Sequence, residues 1–303
     1  MSCHGVDGDA GIIVDLEATG YDICGIDGAG HLECANKSGE TWAFEEMSIG
    51  SNSYIDLGST NQHMCALEDN DGDGSGAIYC FILENLGLAD LYDVYEGPYT
   101  EFSIDPGQGI ICALDTDGDI ECIDPPANGG FDAIPSGPFV DTMIHPNGLC
   151  GLAADGTLSC SGDEWFEAWT LGPDCVLPTT DVIDMDLAAD LPMVLTADGT
   201  ITGWSDWQDC FSASEPGAVA VELGAGVVCT LGSDGSVACV DLDGADSEYG
   251  DILADTAPAG SFEHLAGNPI NVGSFMCASA GSEVTCWGDG WDATTPQTFT
   301  LLD

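Results

Sequence analysis

Six pairs of cysteines recur along this chain at near-constant spacing, and no other feature limits its fold as tightly. In NGLCGLAADGTLSCSG, Cys150 and Cys160 stand ten residues apart around Ala154-Asp155-Gly156. Glycine accepts the left-handed backbone that closes a tight turn, and a three-residue loop of this kind is a type I turn followed by a glycine bulge. Counting outward pairs Ala153 with Thr157, Leu152 with Leu158, Gly151 with Ser159 and Cys150 with Cys160. The cysteines fall in a non-hydrogen-bonded pair, whose Cα atoms lie about 4.5 Å apart, within reach of a disulfide. Side chains alternate along a strand, so Cys150, Leu152, Leu158 and Cys160 share one face. That face is expected to be the buried one.

Cys24/Cys34, Cys112/Cys122 and Cys229/Cys239 repeat the spacing, with Gly30, Gly118 and Gly235 closing the loops. Cys277 and Cys286 are one residue closer, but Gly281-Ser282 reads as a two-residue turn and the cysteines again oppose each other. Between Cys65 and Cys80 an insertion, DNDGDGSG, replaces the turn and leaves Leu67 facing Ile78. A seventh copy, PMVLTADGTITGW, carries Met193 and Gly203 in the cysteine positions. Each hairpin disulfide closes a short loop and contributes roughly 2–3 kcal/mol in the chain-entropy model. Of the 15 cysteines, Cys3, Cys175 and Cys210 are left over. Cys175 and Cys210 flank the copy without its own pair, so a bridge between them is expected. Cys3 fits a lipidated first residue, an intermolecular link, or a consequence of where the sequence begins. Such cysteine usage belongs to an oxidising compartment, so a secreted, extracellular or cell-envelope location is expected. The start, MSCHGVDGDAG, has no apolar core, and an export signal is expected to have been removed upstream. No run of eighteen apolar residues is long enough to span a membrane.

Repeats of roughly 36 to 48 residues mean a propeller or a solenoid. A strand-like element precedes each hairpin: GIIVDLE, SYIDLG, PYTEFSID, PFVDTMIH, DVIDMDLA, AVAVELG and SFEHLAG. A polar stretch able to supply a fourth strand follows each, the last being QTFTLLD. The expected fold is therefore all-β, a seven-bladed β-propeller of four-stranded antiparallel blades with intra-blade hairpin disulfides. The blades approximate to residues 11–50, 51–97, 98–136, 137–180, 181–216, 217–259 and 260–303 of a single domain, 1–303.

The motif H-x-C-A-L-x-x-D-G-x-V-x-C-W-G is met in part at His63-Met64-Cys65-Ala66-Leu67, at Cys286-Trp287-Gly288-Asp289, and at Ile111-Cys112-Ala113-Leu114 with Asp117-Gly118. In these residues the chain resembles bacterial members of the regulator-of-chromosome-condensation repeat family. The resemblance covers nearly the whole chain and implies a seven-bladed propeller. It marks a diverged member, because the family's Gly-Gln-Leu-Gly tail is absent and Trp-Gly is degenerate in most repeats. The family's chromatin and nucleotide-exchange roles do not carry over; its secreted β-lactamase-inhibiting member implies only that the scaffold serves as a binding surface.

Charge narrows the partners. Against 54 acidic residues stand one lysine, Lys37, and no arginine. Phosphate backbones are bound by Lys and Arg releasing counterions, so nucleic acid and anionic membranes are excluded. Self-repulsion destabilises the compact state at low salt; the acidity reads as adaptation to a salty or divalent-rich medium, or as a surface for a cationic partner or calcium. In the insertion, Asp69, Asp71, Asp73 and Gly74 match the opening of a calcium loop, with Ser75 completing the candidate ligands. The match then stops at Ala77 and Cys80, so any Ca2+ site is weak.

Among the five histidines, His4, His31, His63, His145 and His264, none has a Ser or Cys partner at a recognisable spacing. His63 and His145 precede central hairpins, where a general base is conceivable, but a structural hydrogen bond is the commoner role of such a residue. No catalytic residue is assigned. Trp165 with Trp169, Trp204 with Trp207, and Trp287 with Trp291 follow third strands and are candidate platforms for a sugar or a protein, or else cover each blade's outer rim. The expected function is an extracellular or cell-surface binding or assembly module that recognises protein or glycan or self-assembles. The alternatives are a calcium-dependent adhesion or surface-layer subunit and a propeller enzyme such as a lyase.

Overall fold

A computed structural model describes residues 11–19, 22–38, 41–46, 53–60, 63–69, 72–84, 88–105, 109–123, 134–145, 147–162, 166, 176–188, 191–205, 209–224, 226–242, 254–268, 275–288 and 296–301. The described chain is all-β, and its strands follow in sequence order as antiparallel neighbours. Unit 1 holds β1 (Ile13–Ala18), β2 (Asp22–Asp27), β3 (Leu32–Ser38) and β4 (Thr41–Glu46). Unit 2 holds β5 (Tyr54–Ser59), β6 (His63–Glu68), β7 (Gly76–Glu84) and the first part of β8 (Leu88–Ile104). The rest of β8 opens unit 3, followed by β9 (Ile111–Asp115) and β10 (Ile120–Cys122). Unit 4 is β11 (Asp141–His145), β12 (Gly148–Leu152) and β13 (Leu158–Gly162). Unit 5 is β14 (Val182–Ala188), β15 (Leu191–Thr196), β16 (Thr200–Ser205) and β17 (Asp209–Ser214). Unit 6 is β18 (Ala218–Gly224), β19 (Val227–Gly232) and β20 (Val237–Asp241); unit 7 is β21 (His264–Gly267), β22 (Phe275–Ala280), β23 (Glu283–Gly288) and β24 (Gln297–Thr300).

The cysteine registers are those the spacing demands. Cys24 opposes Cys34, Cys65 opposes Cys80, and Cys112 opposes Cys122. Cys150 faces Cys160, Cys229 faces Cys239, and Cys277 faces Cys286. All six pairs are disulfide-bonded, with Cα atoms 3.9 to 4.1 Å apart. Leu67 faces Ile78 across the insertion. In unit 5 Met193 opposes Gly203, and the Met193 sulfur occupies the space where a side chain on residue 203 would begin. Cys210 is also disulfide-bonded; Cys175, its expected partner, lies outside the described residues, as does Cys3.

Two expectations change. A fourth strand is present in units 1, 2, 5 and 7 among the described residues. The boundary at residues 97/98 does not interrupt the backbone: β8 runs through it, and units 2 and 3 share one six-stranded sheet. The nine-residue β7, lengthened after the insertion, keeps β8 paired as far as Gly76 opposite Tyr99. Tyr99 is already opposite Asp115 of the next unit, so one residue serves both pairings.

The sheets pack face to face through apolar seams, and the cysteines lie in them. Cys24, Ile26, Leu32 and Cys34 meet Leu57, Met64 and Phe81 of unit 2. Cys65, Leu67, Ile78 and Cys80 meet Phe102 and Ile111 of unit 3, and Cys112 and Leu114 meet Phe139 and Ile144 of unit 4. The succession continues from Cys150 and Leu152 to Met185 and Val194. Met193 and Leu195 then meet Val221 and Val228, and Cys229 and Leu231 meet Leu265 and Met276. Cys277, Val284 and Cys286 of unit 7 pack on Leu16, Ala18 and Ile23 of unit 1. Fully burying an aliphatic side chain of this size is worth about 1.5–3 kcal/mol, so these seams carry the fold.

A backbone bond repeats beside six of the seven seams. The carbonyls of Gly30, Gly118, Gly156, Gly199, Gly235 and Gly281 accept the N–H groups of Tyr54, Phe139, Val182, Glu215, Phe262 and Ile13, at 2.8 to 3.1 Å. Each of these glycines has a positive φ, from 62° to 84°. At Gly199 a Cβ would also land on the Glu215 carbonyl. There the turn needs glycine twice over, for its backbone angle and for the close approach of the next unit.

Candidate functional site

The first strand of each unit touches the first strands of its neighbours: β1 meets β5, β5 meets β8, β8 meets β11, β11 meets β14, β14 meets β18, β18 meets β21, and β21 meets β1. Apart from β8, which pairs with β7 over its first part and with β9 from Tyr99 onward, these inner strands pair on one side only. An unpaired edge presents a row of unsatisfied backbone N–H groups. The sequence answers with carboxylates.

Asp15, Asp56, Glu101, Asp141 and Asp184 occupy one register position, opposite Ile26, Leu67, Leu114, Leu152 and Leu195 of the second strands. Two residues further on stand Glu17 in unit 1, Asp186 in unit 5 and Glu222 in unit 6. In units 1, 2, 3, 5 and 6 a β-bulge sits just before the first position, at Ile13/Asp15, Tyr54/Asp56, Tyr99/Glu101, Val182/Asp184 and Ala218/Ala220. A bulge adds one residue and re-aims the side chains that follow it.

The carboxylates reach across to the next unit. Asp56 Oδ2 accepts the Phe102 N–H at 3.4 Å. Asp184 Oδ2 accepts the Val221 N–H at 2.7 Å, and Asp186 Oδ2 accepts that of Leu223 at 2.6 Å. Ser59 Oγ lies 2.7 Å from Glu17 Oε1, and Thr142 Oγ1 reaches the Glu101 carboxylate at 3.4 Å. Asp15 Oδ1 accepts the Leu16 N–H at 2.9 Å, and the backbone of Leu57 in the next unit also favours its charged form.

Burial disfavours the charged form and raises a carboxyl pKa, as does a like charge nearby. Desolvation lifts Asp15 to about 6, Asp141 to about 6 and Asp186 to about 6. Asp184 rises to about 7 through desolvation and then Asp141, and Glu17 to about 8 through desolvation and the nearby Asp15 and Asp186. Asp56, Glu101 and Glu222 are pushed well above the usual range, first by desolvation and then by neighbouring carboxylates. Repulsion couples units that are not sequence neighbours: Glu17 with Asp186, Asp56 with Asp141, and Glu222 with Asp15. Carboxylates of units far apart in sequence thus feel one another's charge.

Unit 7 is built differently. His264 takes the register position of the carboxylates, opposite Ser279, where the other units place Ile or Leu. Ser279 is fully buried, with an unpartnered hydroxyl. Burial lowers the His264 pKa, opposed by Glu263 and by a hydrogen bond to the Ile13 backbone. The imidazole thus holds the first strand of unit 1 where other units use an acid.

The sequence-derived candidates fall elsewhere. Asp69 spends both oxygens on its own loop, Oδ1 on the Gly72 and Asp73 N–H groups and Oδ2 on that of Gly74, at 2.7 to 3.2 Å. Asp73 Oδ1 accepts both the N–H and the hydroxyl of Ser75. Asp71 lies outside the described residues. Trp287 is 1% exposed in the seam between units 6 and 7, so it is core rather than a platform or rim. Trp204 is on β16, while Trp165, Trp169, Trp207 and Trp291 lie outside the described residues. His63 Nδ1 is 3.2 Å from Thr60 Oγ1. His145 is buried, accepts the Asn147 N–H at 3.1 Å and stacks on Phe166.

Reading the sequence for active residues passes over the inner-strand acids, because 54 acidic residues make any pair of them unremarked. Their signal lies in the alignment of GIIVDLE, SYIDLG, PYTEFSID, PFVDTMIH and DVIDMDLA, where an acid interrupts an apolar strand at one register position.

No family model matches the chain, and no curated protein matches it. Among solved structures it is similar to the computationally designed Ika8 protein, at 13% identity and a TM-score of 0.51, over 98% of this chain and 89% of that one. The ectodomain of the receptor kinase CR4 from Physcomitrella patens matches at 17% identity and a TM-score of 0.44, over 92% of this chain and 62% of the other. The CRINKLY WD40 ectodomain of the Arabidopsis thaliana receptor kinase ACR4 matches at 18% identity and a TM-score of 0.42, over 96% and 83%.

Proposed function

We propose that this chain is an extracellular or cell-surface binding module, built as a seven-bladed β-propeller of the regulator-of-chromosome-condensation type. The observation that carries the reading is the circuit of apolar seams, six of the seven lined by a disulfide, in which unit 7 packs on unit 1 as every other unit packs on its successor. A frame of this kind holds the inner strands at fixed separations and gathers eight carboxylates around the axis. Six disulfides within the sheets suit an oxidising compartment. The acidic axis favours partners that bring positive charge.

Small-angle X-ray scattering on the oxidised protein tests the frame; a profile that no closed ring of seven sheets fits overturns it. Arrays of glycans and of immobilised proteins, read at about 0.15 M and 1 M salt, test the function. Saturable binding that disappears after reduction and unfolding supports a module, and its absence from both arrays overturns that role. A second reading, an enzyme such as a lyase, draws on Asp141, Asp184 and Asp186, whose pKa values of about 6 to 7 suit general acid–base chemistry.

A further inference from the structure

Six disulfides lie in the seams, and the bond made by Cys210 does not. Cys210 is disulfide-bonded and exposed, on β17 at the outer edge of unit 5. Side chains alternate along a strand. Phe211 and Ala213 turn inward onto the core that unit 5 shares with unit 6, so Cys210 points outward with Ser212 and Ser214, which are also exposed. Its neighbour across the ladder is Trp204 rather than a cysteine. The bond therefore leaves the sheet instead of joining two of its strands. Each seam bond, by contrast, has one sulfur on a fully buried residue, Cys24, Cys65, Cys112, Cys150, Cys229 or Cys277. No cysteine of those six pairs is exposed.

Unit 5 is also the unit whose second and third strands carry no cysteine pair, with Met193 opposite Gly203 in its place. The seam it makes with unit 6 is filled by Met193, Leu195, Val221 and Val228 without a disulfide. Opening the Cys210 bond thus takes no packed group out of a seam. Exposed disulfides are the labile and regulatory ones, because exchange requires a thiolate to reach a sulfur. We infer that the Cys210 disulfide is a thiol–disulfide exchange site, opened by a dithiol reductant while the six seam bonds persist. One thiolate of the reductant attacks a sulfur of the bond, forming a mixed disulfide and expelling the other cysteine as a thiolate that takes up a proton. The reductant's second thiolate then attacks the mixed disulfide. Both protein cysteines end as thiols, the dithiol ends as its own disulfide, and two electrons have passed to the protein. Once the bond is open, β17 is held by its ladder to β16 and by Phe211 and Ala213 alone. The site is thus a redox switch on the outer strand of unit 5, whatever partner the module binds.

The test treats the full oxidised chain with dithiothreitol under native conditions at about pH 8, close to the pKa of an ordinary thiol. New thiols are labelled with iodoacetamide at successive times and located by peptide mass spectrometry. The seam pairs leave Cys3 and Cys175 to bond with Cys210. Cys210 and one of these two should gain label together, at least about tenfold faster than any seam cysteine, while far-ultraviolet circular dichroism stays unchanged. Hydrogen exchange on the selectively reduced protein should quicken across β17 and stay as it was in the disulfide-paired seam strands. Cys210→Ser should lose the fast, reductant-dependent phase and keep the slow one. A seam cysteine that labels as fast as Cys210 overturns the proposal. So does a Cys210 that labels only as the protein unfolds, a fast phase that survives Cys210→Ser, or a β17 whose exchange is the same before and after reduction.

Discussion

Asp155 and Asp184 belong to neighbouring units, and their environments push their carboxyl groups in opposite directions. Asp155 sits in the exposed β12–β13 turn, accepts the Thr157 N–H at 3.0 Å, and has its pKa lowered by the Thr157 side chain and then the Thr157 backbone. Asp198 and Asp234 repeat this in units 5 and 6, lowered first by the side chains of Thr196 and Ser236. Asp184 accepts an N–H at a shorter distance, 2.7 Å, yet its pKa rises to about 7. The difference is solvent and company. At the turn, water and a local donor favour the anion; on the inner strand, desolvation and the charge of Asp141 outweigh the bond. A carboxylate count therefore says little about such a chain until each acid has a place in the repeat.

The largest effect expected from this contrast is in the pH dependence of stability. A folded-state pKa above the unfolded value means that the folded form holds more protons, so stability is highest below about pH 4 and is lost as pH rises through the folded values. For Asp15, Asp141, Asp184, Asp186 and Glu17 those values span about 6 to about 8. Denaturant unfolding at constant ionic strength should show a marked decline from pH 5 to pH 8. Glu17→Gln keeps an acceptor for Ser59 and should stabilise the protein by roughly 2–4 kcal/mol at pH 8 and by little at pH 4. A parent profile that is flat from pH 5 to 8 would mean that bound cations already compensate the inner acids, and the contrast with the turns would collapse.

Next in size is a pair of glycine substitutions that separates backbone angle from crowding at the turns. Gly199 and Gly281 both have positive φ, 84° and 62°, and both accept an N–H from the following unit. At Gly281 a Cβ would meet nothing within 4 Å, whereas at Gly199 it would land on the Glu215 carbonyl. Gly281→Ala should cost about 1–2 kcal/mol for the left-handed backbone alone. Gly199→Ala should cost at least about 2 kcal/mol more, since the backbone of unit 6 must move away. Equal losses would show that the turn does not press on the next unit.

How far the sequence discloses all this depends on how local the cause is. The hairpin registers and disulfides are legible because a period of two and one turn glycine fix them within about ten residues. Met193 opposite Gly203 is legible for the same reason. The continuous β8 is not: it depends on how the insertion after Glu68 lengthens β7, and neither Gly97 nor Pro98 ends the strand. Trp287 reads as a rim or platform residue from its place after a cysteine, but the seam with unit 6 buries it. The inner acids take their properties from units far away in sequence. Glu17 is coupled to Asp186, 169 positions on, by 186 − 17. No local window contains that distance.

The smallest effect belongs to the turns. Because the pKa values of Asp155, Asp198 and Asp234 are lowered, their contribution is present above the unfolded value near pH 4 and is lost as pH falls through the folded values. Asp234→Asn leaves an oxygen able to accept from the Ser236 N–H and hydroxyl, which lie 3.0 and 2.6 Å from Asp234 Oδ1. Asp234→Ala removes the acceptor altogether. At pH 7 the alanine variant should melt slightly below the parent and the asparagine variant between the two; below about pH 3 the parent should fall to the asparagine variant as its carboxyl protonates, while the alanine variant stays lowest. Exposure screens the charge, so raising NaCl should bring the asparagine variant up to the parent while the alanine variant stays low. If Asp234→Ala instead raised the melting temperature at pH 7, relief of general acidic repulsion would outweigh the local bond. Turn and inner-strand acids would then differ only in degree.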